Sequence, residues 1–180
     1  ATTSDGYDNS KEFYARGHQI PNADRNGSDE LVVQTYYATN STPQIQNKFN
    51  GGIWQQLESG VRNITATTDT VYVVTGAILQ TAGNHEAITW ITPKSDSKRC
   101  PVPNYYYKAL LKVRRDASNK VTSAMTIGFW MEHREYSNDS YTNYATSVAE
   151  IERLTGFDFF ANLPADIPVS YTHLRAHETK

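Results

Sequence analysis

Three consecutive residues near the start of the chain, Arg16, Gly17 and His18, carry groups that could act on a phosphate ester. An imidazole such as that of His18 takes up and releases a proton near neutral pH. The guanidinium of Arg16 can hold a phosphate by two parallel hydrogen bonds. If the segment is an extended strand, both side chains project to the same face, and Gly17 lets a ligand approach the backbone. With a metal ion added, this combination indicates phosphodiester hydrolysis.

A second group of candidate residues follows at the start of a predicted helix. Asn50 offers a neutral amide oxygen, and a hard cation such as Mg²⁺ accepts few protein ligands and keeps most of its waters. Glu58 and Arg62 are spaced as i, i+4 on one helix face, where Glu58 could orient the cation's waters and Arg62 could contact phosphate. Taken singly, each feature also has a structural explanation: a structural histidine, a turn at Asn50-Gly51, and a solvated helix pair. Their order and spacing together favour a site.

Composition limits the class of protein. The chain has 180 residues, of which 38% are hydrophobic, which is enough for one domain with a core and argues against global disorder. Seventeen basic against nineteen acidic residues give a net charge of -2, which excludes nucleic-acid binding through bulk positive charge but not a local basic cleft. Cys100 is the single cysteine, so neither an intrachain disulfide nor a multi-cysteine zinc site is possible.

The same composition gives an expectation about location. No apolar run approaches the roughly 18 residues of a membrane span, so no membrane association is expected. The chain opens with polar residues, so no signal peptide is expected in it, and any export signal would have been removed. Its abundance of Asn, Thr and Tyr predicts a secreted or periplasmic bacterial protein.

The predicted strands and helices mix without regular βαβ alternation, which favours the α+β class, and we expect a central, mainly antiparallel sheet with flanking helices. The predicted elements are a buried strand at Leu31–Tyr37, a loop over 38–49, a helix whose face is Ile53, Leu57 and Val61, a central strand at Val71–Leu79, a long hairpin of Tyr105–Arg115 and Val121–His133, and a short helix from the Ser147 and Glu150 capping pair to Gly156. His133, beside Glu132 and Arg134, is expected to be a surface residue or an ion-pair residue.

The last twelve residues, 169–180, do not fit what precedes them and are predicted to be a non-native tail after a single domain over 1–168. His173 and His177 within it are spaced as i, i+4, but such a pair alone is a weak indication of metal binding.

The candidate residues resemble, in order and spacing, a known family. The matching positions are Arg16-Gly17-His18, then Asn40 to Gln44, Asn50, Trp54 to Glu58, Arg62, the strand at 72–76, the 102–108 stretch and 151–160. Together they resemble the DNA/RNA non-specific endonucleases, the ββα-metal (His-Me finger) nucleases of the Serratia nuclease and endonuclease G type. The resemblance covers roughly residues 13–164.

The resemblance implies a role for each residue. His18 would be the general base, Asn50 the one direct protein ligand of a hydrated Mg²⁺ (or Mn²⁺), and Glu58 would fix the waters of the cation. Arg16 and Arg62 would bind the phosphate and stabilise the transition-state charge. The implied substrates are DNA and RNA, cut with little sequence preference to give 5′-phosphate products.

Further residues and departures complete this expectation. Gln19 and Arg25, in the loop after His18, are additional candidates for substrate binding. The family motif begins with Asp, but Ala15 stands at that position. In addition, few residues precede the motif, so the chain is expected to be N-terminally truncated. The alternative is therefore a catalytically impaired homologue that acts as a nucleic-acid-binding or structural module. A third possibility, a β-rich carbohydrate-binding protein, rests on aromatic and Asn content alone.

Overall fold

The computed structural model describes residues 7–8, 14–65, 70–93 and 97–171. In chain order the strands are β1 (Tyr7–Asp8), β2 (Tyr14–His18), β3 (Ser41–Ile45), β4 (Thr70–Ile78), β5 (Thr89–Pro93), β6 (Cys100–Val102), β7 (Tyr105–Arg115), β8 (Val121–Glu132), β9 (Ala145–Thr146) and β10 (Val169–Tyr171). The α-helices are α1 (Asp29–Gln34), α2 (Gln55–Thr65) and α3 (Val148–Thr155). Single 3-10 turns lie at Asn22–Arg25, Ala38–Asn40 and Tyr141–Tyr144, and a π-type segment spans Gln46–Trp54.

The main sheet has the order β10-β8-β7-β4, with β9 also paired to β8. All of these pairings are antiparallel except that of β10 with β8. The long hairpin of β7 and β8 confirms the prediction, and its turn is held by Asp116, whose Oδ1 accepts hydrogen bonds from the backbone of Ser118 and Lys120. The predicted α+β class with a mainly antiparallel sheet is confirmed.

The principal core lies between this sheet and α2. Ile53, Leu57 and Val61 are buried, which confirms the helix face predicted from their spacing. They belong to the same hydrophobic cluster as the fully buried Tyr106 of β7 and Phe129 of β8. Removal of this apolar surface from water holds α2 against the sheet. The orientation of the helix then also sets the position of its polar face.

The third helix also confirms its prediction. Ser147 Oγ accepts a hydrogen bond from the backbone N–H of Glu150 at 3.0 Å, as expected for an N-cap. The helix ends at Gly156, whose φ of 74° lies in the left-handed region that favours glycine.

The strand predicted at Leu31–Tyr37 is wrong, because most of this segment belongs to the exposed helix α1 and the turn that follows it. Ser28 caps the helix by accepting a hydrogen bond from Leu31 N at 3.3 Å. Asp29 and Glu30 lie in its first turn, where the helix dipole favours negative charge. These local interactions outweigh the β-propensity of the Val-Val and Tyr-Tyr pairs.

Two further predictions need correction. The loop predicted over 38–49 contains strand β3, which pairs with β2. The strand predicted at Val71–Leu79 forms as β4, but within the described chain it lies at an edge of the sheet and pairs only with β7, so it is not central. Its apolar run is explained otherwise, because Val71 and Val73 line a cavity shared with α2.

The boundary predicted at residue 168 stays a prediction. Val169–Tyr171, the first residues of the expected tail, form β10 alongside β8, and 172–180 lie outside the described residues. Across the described ranges, no helix has both the length and the apolar character needed to cross a membrane.

Candidate active site

The paired strands β2 and β3 place the residues of the first motif. Their antiparallel register sets His18 opposite Ser41 and Gly17 opposite Thr42. A Cβ atom at position 17 would lie 2.1 Å from Cδ of Gln44, whose side chain is fully buried beneath this strand. Gly17 is therefore required by the close approach of Gln44, and it lets Arg16 and His18 occupy neighbouring positions on one short strand.

The loop that follows His18 is tied down by a single side chain. Asn40 Oδ1 accepts a hydrogen bond from Ile20 N at 2.9 Å, and its Nδ2 donates to Ile20 O at 3.0 Å and to Thr35 O at 2.9 Å. Its backbone oxygen also accepts from Gln19 N at 3.0 Å. Asn40, one of the positions that match the family motifs, thus holds the loop in position through both ends of its amide.

His18 lies half-buried in a cavity of about 190 Å³ that is also lined by Ala15, Arg16, Tyr36 and Ser41. The Nε2 atom is buried and has no hydrogen-bond partner. Burial, and secondarily the charge of Arg16, lower the pKa of His18, while a hydrogen bond with the Arg16 backbone opposes this shift. The neutral ring is therefore favoured at neutral pH, with Nε2 available to accept a proton.

Asn50 is positioned by the irregular segment between β3 and α2. The preceding Phe49 is fully buried and stacks on Trp54 with ring centroids 5.9 Å apart. The amide Nδ2 of Asn50 donates to Gln46 Oε1 at 3.0 Å, which leaves Oδ1 as the atom that can coordinate a cation. Within the described residues, no three or more His, Cys, Asp or Glu side chains cluster as a metal cage. This donor set fits Mg²⁺, which keeps most of its waters.

The polar face of α2 lines a larger cavity of about 410 Å³ together with the loop after His18 and strands β4 and β7. Its charged residues are Asp24, Arg25, Glu58, Arg62 and Lys108. Three basic and two acidic side chains give the cavity an excess positive charge, although the whole chain is acidic. Such a local balance suits an anionic ligand.

Two carboxylates in this cavity differ in their surroundings. Burial raises the pKa of Glu58 to about 7, opposed by the charges of Lys108 and Arg62 and reinforced by that of Asp24. Asp24 Oδ1 accepts a hydrogen bond from Arg62 Nη1 at 2.9 Å. Arg62 also donates from Nη2 to Ser59 Oγ at 3.1 Å, so both ends of its guanidinium are held.

Sequence reasoning missed Lys108. This side chain of β7 is only 2% exposed, and its Nζ donates to Thr75 Oγ1 on β4 at 2.9 Å. Its position in the strand could have indicated burial, because alternation places Lys108 on the same face as the core residues Tyr106 and Leu110. A lysine at an inward-facing strand position needs a partner or a function.

Gln19, Arg25, Glu58 and Arg62 are brought together in the larger cavity, while Arg16 and His18 line the smaller one. His18 and Gln19 are consecutive residues, so the smaller and the larger cavity are lined by neighbouring positions of the chain. Asn50 is not among the lining residues of either cavity. The juxtaposition of Asn50 with His18 therefore stays a prediction.

Of the two roles expected for His133, a surface residue or an ion-pair residue, the first is wrong. Its ring is partly buried, and Nε2 accepts a hydrogen bond from Ile45 N at 2.8 Å. Since Nε2 is an acceptor, the neutral ring carries its proton on Nδ1, which donates to Pro103 O at 2.8 Å. The ring also contacts Phe49 edge-on at 4.9 Å. His133 thus fixes the end of β3 and the residue before Asn50.

Comparison with known proteins agrees with this geometry. The family model described as "DNA/RNA non-specific endonuclease" matches residues 1–166. A chain in the crystal structure of the EndoG/EndoGI complex superposes with a TM-score of 0.74 at 23% identity, covering 94% of this chain and 67% of the other. The ββα-metal nuclease fold, expected from the resemblance of the sequence motifs to this family, is confirmed by this likeness.

Several curated relatives of this chain are nucleases by name. They include Nuclease 1, mitochondrial, of Schizosaccharomyces pombe (26% identity, 84% of this chain, 47% of the relative), Nuclease C1 of Cunninghamella echinulata (29%, 87%, 60%) and Nuclease EXOG, mitochondrial, of Homo sapiens (27%, 83%, 40%). The chain spans about half the length of these relatives. The expectation of a secreted or periplasmic bacterial protein is wrong, because the relatives whose names give a location are mitochondrial.

Proposed function

The chain belongs to the DNA/RNA non-specific endonuclease family, a family of phosphodiester hydrolases, and we propose that it is a divalent-cation-dependent endonuclease acting on DNA and RNA. The observation that carries this proposal is the surroundings of His18. A buried imidazole nitrogen without a partner lies in a cavity next to the guanidinium of Arg16 on the same strand. A proton acceptor beside a phosphate-binding cation is what in-line attack of water on phosphorus requires.

In this reaction His18 Nε2 accepts a proton from the attacking water as the oxygen bonds to phosphorus. The bond from phosphorus to the 3′ oxygen breaks, and the departing 3′ oxygen takes a proton from solvent, which leaves a 5′-phosphate and a 3′-hydroxyl; His18 then returns its proton to solvent. Arg16 and Arg62 donate hydrogen bonds to phosphate oxygens, and Arg62 must first exchange its contact with Asp24 for one with the phosphate. Gln19 and Arg25 extend the contacts along the nucleic-acid backbone.

Asn50 Oδ1 would hold the cation, and Glu58 would accept hydrogen bonds from the waters around it. When bound, Mg²⁺ or Mn²⁺ would neutralise charge on the phosphate and on the leaving oxygen. The role of Glu58 requires a carboxylate, since the protonated form loses one of its acceptor positions and its charge.

Incubation of plasmid DNA and of RNA with the protein tests the proposal. We expect both to be degraded with Mg²⁺ and neither in excess EDTA, because cleavage needs the cation. His18→Ala should abolish cleavage while retaining nucleic-acid binding, and His85→Ala, a change in an exposed loop, should leave cleavage unaltered. Cleavage that persists in EDTA or in His18→Ala contradicts the proposal.

A second candidate is favoured by Ala15, which lines the His18 cavity where the family motif has Asp. In that case the chain binds nucleic acid without cutting it. Retention of nucleic acid by the unmutated protein with no cleavage at any Mg²⁺ concentration supports this candidate. Ala15→Asp then shows whether position 15 is the cause, since a gain of cleavage assigns the defect to it.

A further inference from the structure

Lys108 is a charged side chain that the proposed reaction does not use, although it lines the same cavity as Glu58 and Arg62. Its Nζ makes a hydrogen bond to Thr75 Oγ1, and Thr75 lies directly opposite Lys108 in the register of β4 and β7. The ammonium group also lies 4.8 Å from the centre of the Trp54 ring. Both contacts restrain the charge to one position within the sheet.

Trp54 lies directly before α2 and precedes Glu58 by four residues, about one helical turn. The ammonium group of Lys108 therefore contacts the start of the helix that carries Glu58. Lys108 from β7 and Glu58 from α2 line the same cavity, and opposite charges that are partly removed from solvent attract each other. A buried ammonium without a nearby anion is costly, and the nearby anions here are Glu58 and Asp24.

We propose that Lys108 is a positioning residue for the nuclease site, whose buried ammonium group keeps the Glu58 side chain a carboxylate facing the cavity. This role rests on the proposed function, in which Glu58 accepts hydrogen bonds from the waters of the cation. The charged groups that face Glu58 are Lys108 from β7, Arg62 from its own helix and Asp24 from the loop after His18. Arg62 donates a hydrogen bond to Asp24 and is also proposed to bind the phosphate. Lys108 is assigned neither of these interactions.

The pKa shifts have the direction that this coupling requires. Burial raises the pKa of Glu58, and the charge of Lys108 is the largest influence that opposes the rise. Burial lowers the pKa of Lys108 to about 8, with Glu58 the largest opposing influence, so Lys108 stays a cation at neutral pH.

The test is the pKa of Glu58 in the metal-free protein, measured by NMR titration of its side-chain carboxyl carbon. Lys108→Met and Lys108→Gln, which remove the charge and keep most of the volume, should raise this pKa by about one unit. Lys112→Met is the matched control, since Lys112 lies on the same strand and outside the cavity lining, and it should leave the pKa unchanged. An unchanged Glu58 pKa in both Lys108 variants overturns the inference.

A double-mutant cycle supplies the kinetic readout. Lys108→Met should move the acidic limb of the pH dependence of kcat/KM to higher pH, and the loss of activity should be partly recovered at alkaline pH. In a Glu58→Gln background the same substitution should cause no further shift, because the two residues act as a unit. The inference is contradicted if Lys108→Met lowers kcat/KM equally at every pH and if this loss adds fully to that of Glu58→Gln. Lys108 would then contribute to folding alone.

Two outcomes separate this inference from the proposed function. If Lys108 variants do not fold, Glu58→Gln gives the reciprocal measurement, in which the pKa of Lys108 should fall, and a constant value counts against the coupling. Failure of the unmutated protein to cleave DNA or RNA refutes the proposed function, while a coupled pair of pKa values still stands. Normal cleavage with no coupling refutes the role of Lys108 only.

Discussion

Arg62 Nη1 donates a hydrogen bond to Asp24 Oδ1 at 2.9 Å, so the guanidinium expected to bind phosphate is already occupied by a carboxylate of the same cavity. Both side chains are about one-third exposed, at 33% each. A partly exposed pair of this kind contributes about 1 kcal/mol or less. Under the proposed function, we therefore expect a phosphate to displace Asp24 at small cost, with Asp24 competing against the substrate for Arg62.

Asp24→Asn should strengthen substrate binding. The substitution removes a negative charge that faces the polyanion and releases Arg62, so KM for DNA should fall by roughly threefold to tenfold, equivalent to about 1 kcal/mol. Steady-state kinetics on a defined oligonucleotide measures the change. Asp166→Asn is the matched control, because it alters net charge equally and lies outside the cavity lining. A KM for Asp24→Asn that equals or exceeds that of the control contradicts competition by Asp24.

The pH dependence of cleavage should show the titration of Glu58. Its pKa is raised to about 7, so the carboxylate and the activity should be lost as pH falls through that value. The pKa of His18 is lowered, so His18 remains a base to more acidic pH and does not limit this part of the profile. Higher Mg²⁺ concentration should move the limb to lower pH, since cation binding favours the carboxylate.

Profiles of kcat/KM from about pH 5 to about pH 9 give this limb directly. Glu58→Gln should have a lower maximum and no limb near neutrality, which leaves only the ionisation of His18 at lower pH. A limb that is identical in the unmutated protein and in Glu58→Gln rules out Glu58 as its source.

His133→Ala should destabilise the fold. The substitution removes the acceptor of Ile45 N and the donor to Pro103 O, and it empties the space beside Phe49. The free energy of unfolding should fall by about 2 to 4 kcal/mol. Chemical denaturation measures the change, and His85→Ala, in an exposed loop, should alter stability by less than about 0.5 kcal/mol. A loss below about 1 kcal/mol for His133→Ala shows that these contacts do not fix β3.

Features set by local sequence were predictable. The face of α2 and the β7–β8 hairpin follow from the spacing of apolar residues, and the cap of α3 follows from Ser147 and Glu150. The pairs Arg16–His18 and Glu58–Arg62 could be picked out as candidates because the spacing within each pair is short, and their roles in the site stay predictions.

Features set by contacts distant in the chain were not predictable. Strand β3 has no clear alternation and forms because β2 pairs with it. His133 looked like a surface residue because its partners, Ile45 and Pro103, are 88 and 30 residues away. Lys108 reads as an ordinary strand lysine until β4 and α2 bury it. For β3 and His133, tertiary packing decides the environment, and single-sequence patterns do not contain it. For Lys108, alternation along the strand indicates the inward face but not the side chains that it meets there.

Whether Asn50 and His18 serve one phosphodiester is decided by anomalous diffraction from crystals containing Mn²⁺ and a non-hydrolysable oligonucleotide. We expect one cation within about 2.3 Å of Asn50 Oδ1, coordinated also by a phosphate whose phosphorus faces His18 Nε2 through a single water, and no such cation in Asn50→Ala. A cation bound away from Asn50, or a phosphate on the cation with His18 out of reach of its water, contradicts the proposed mechanism.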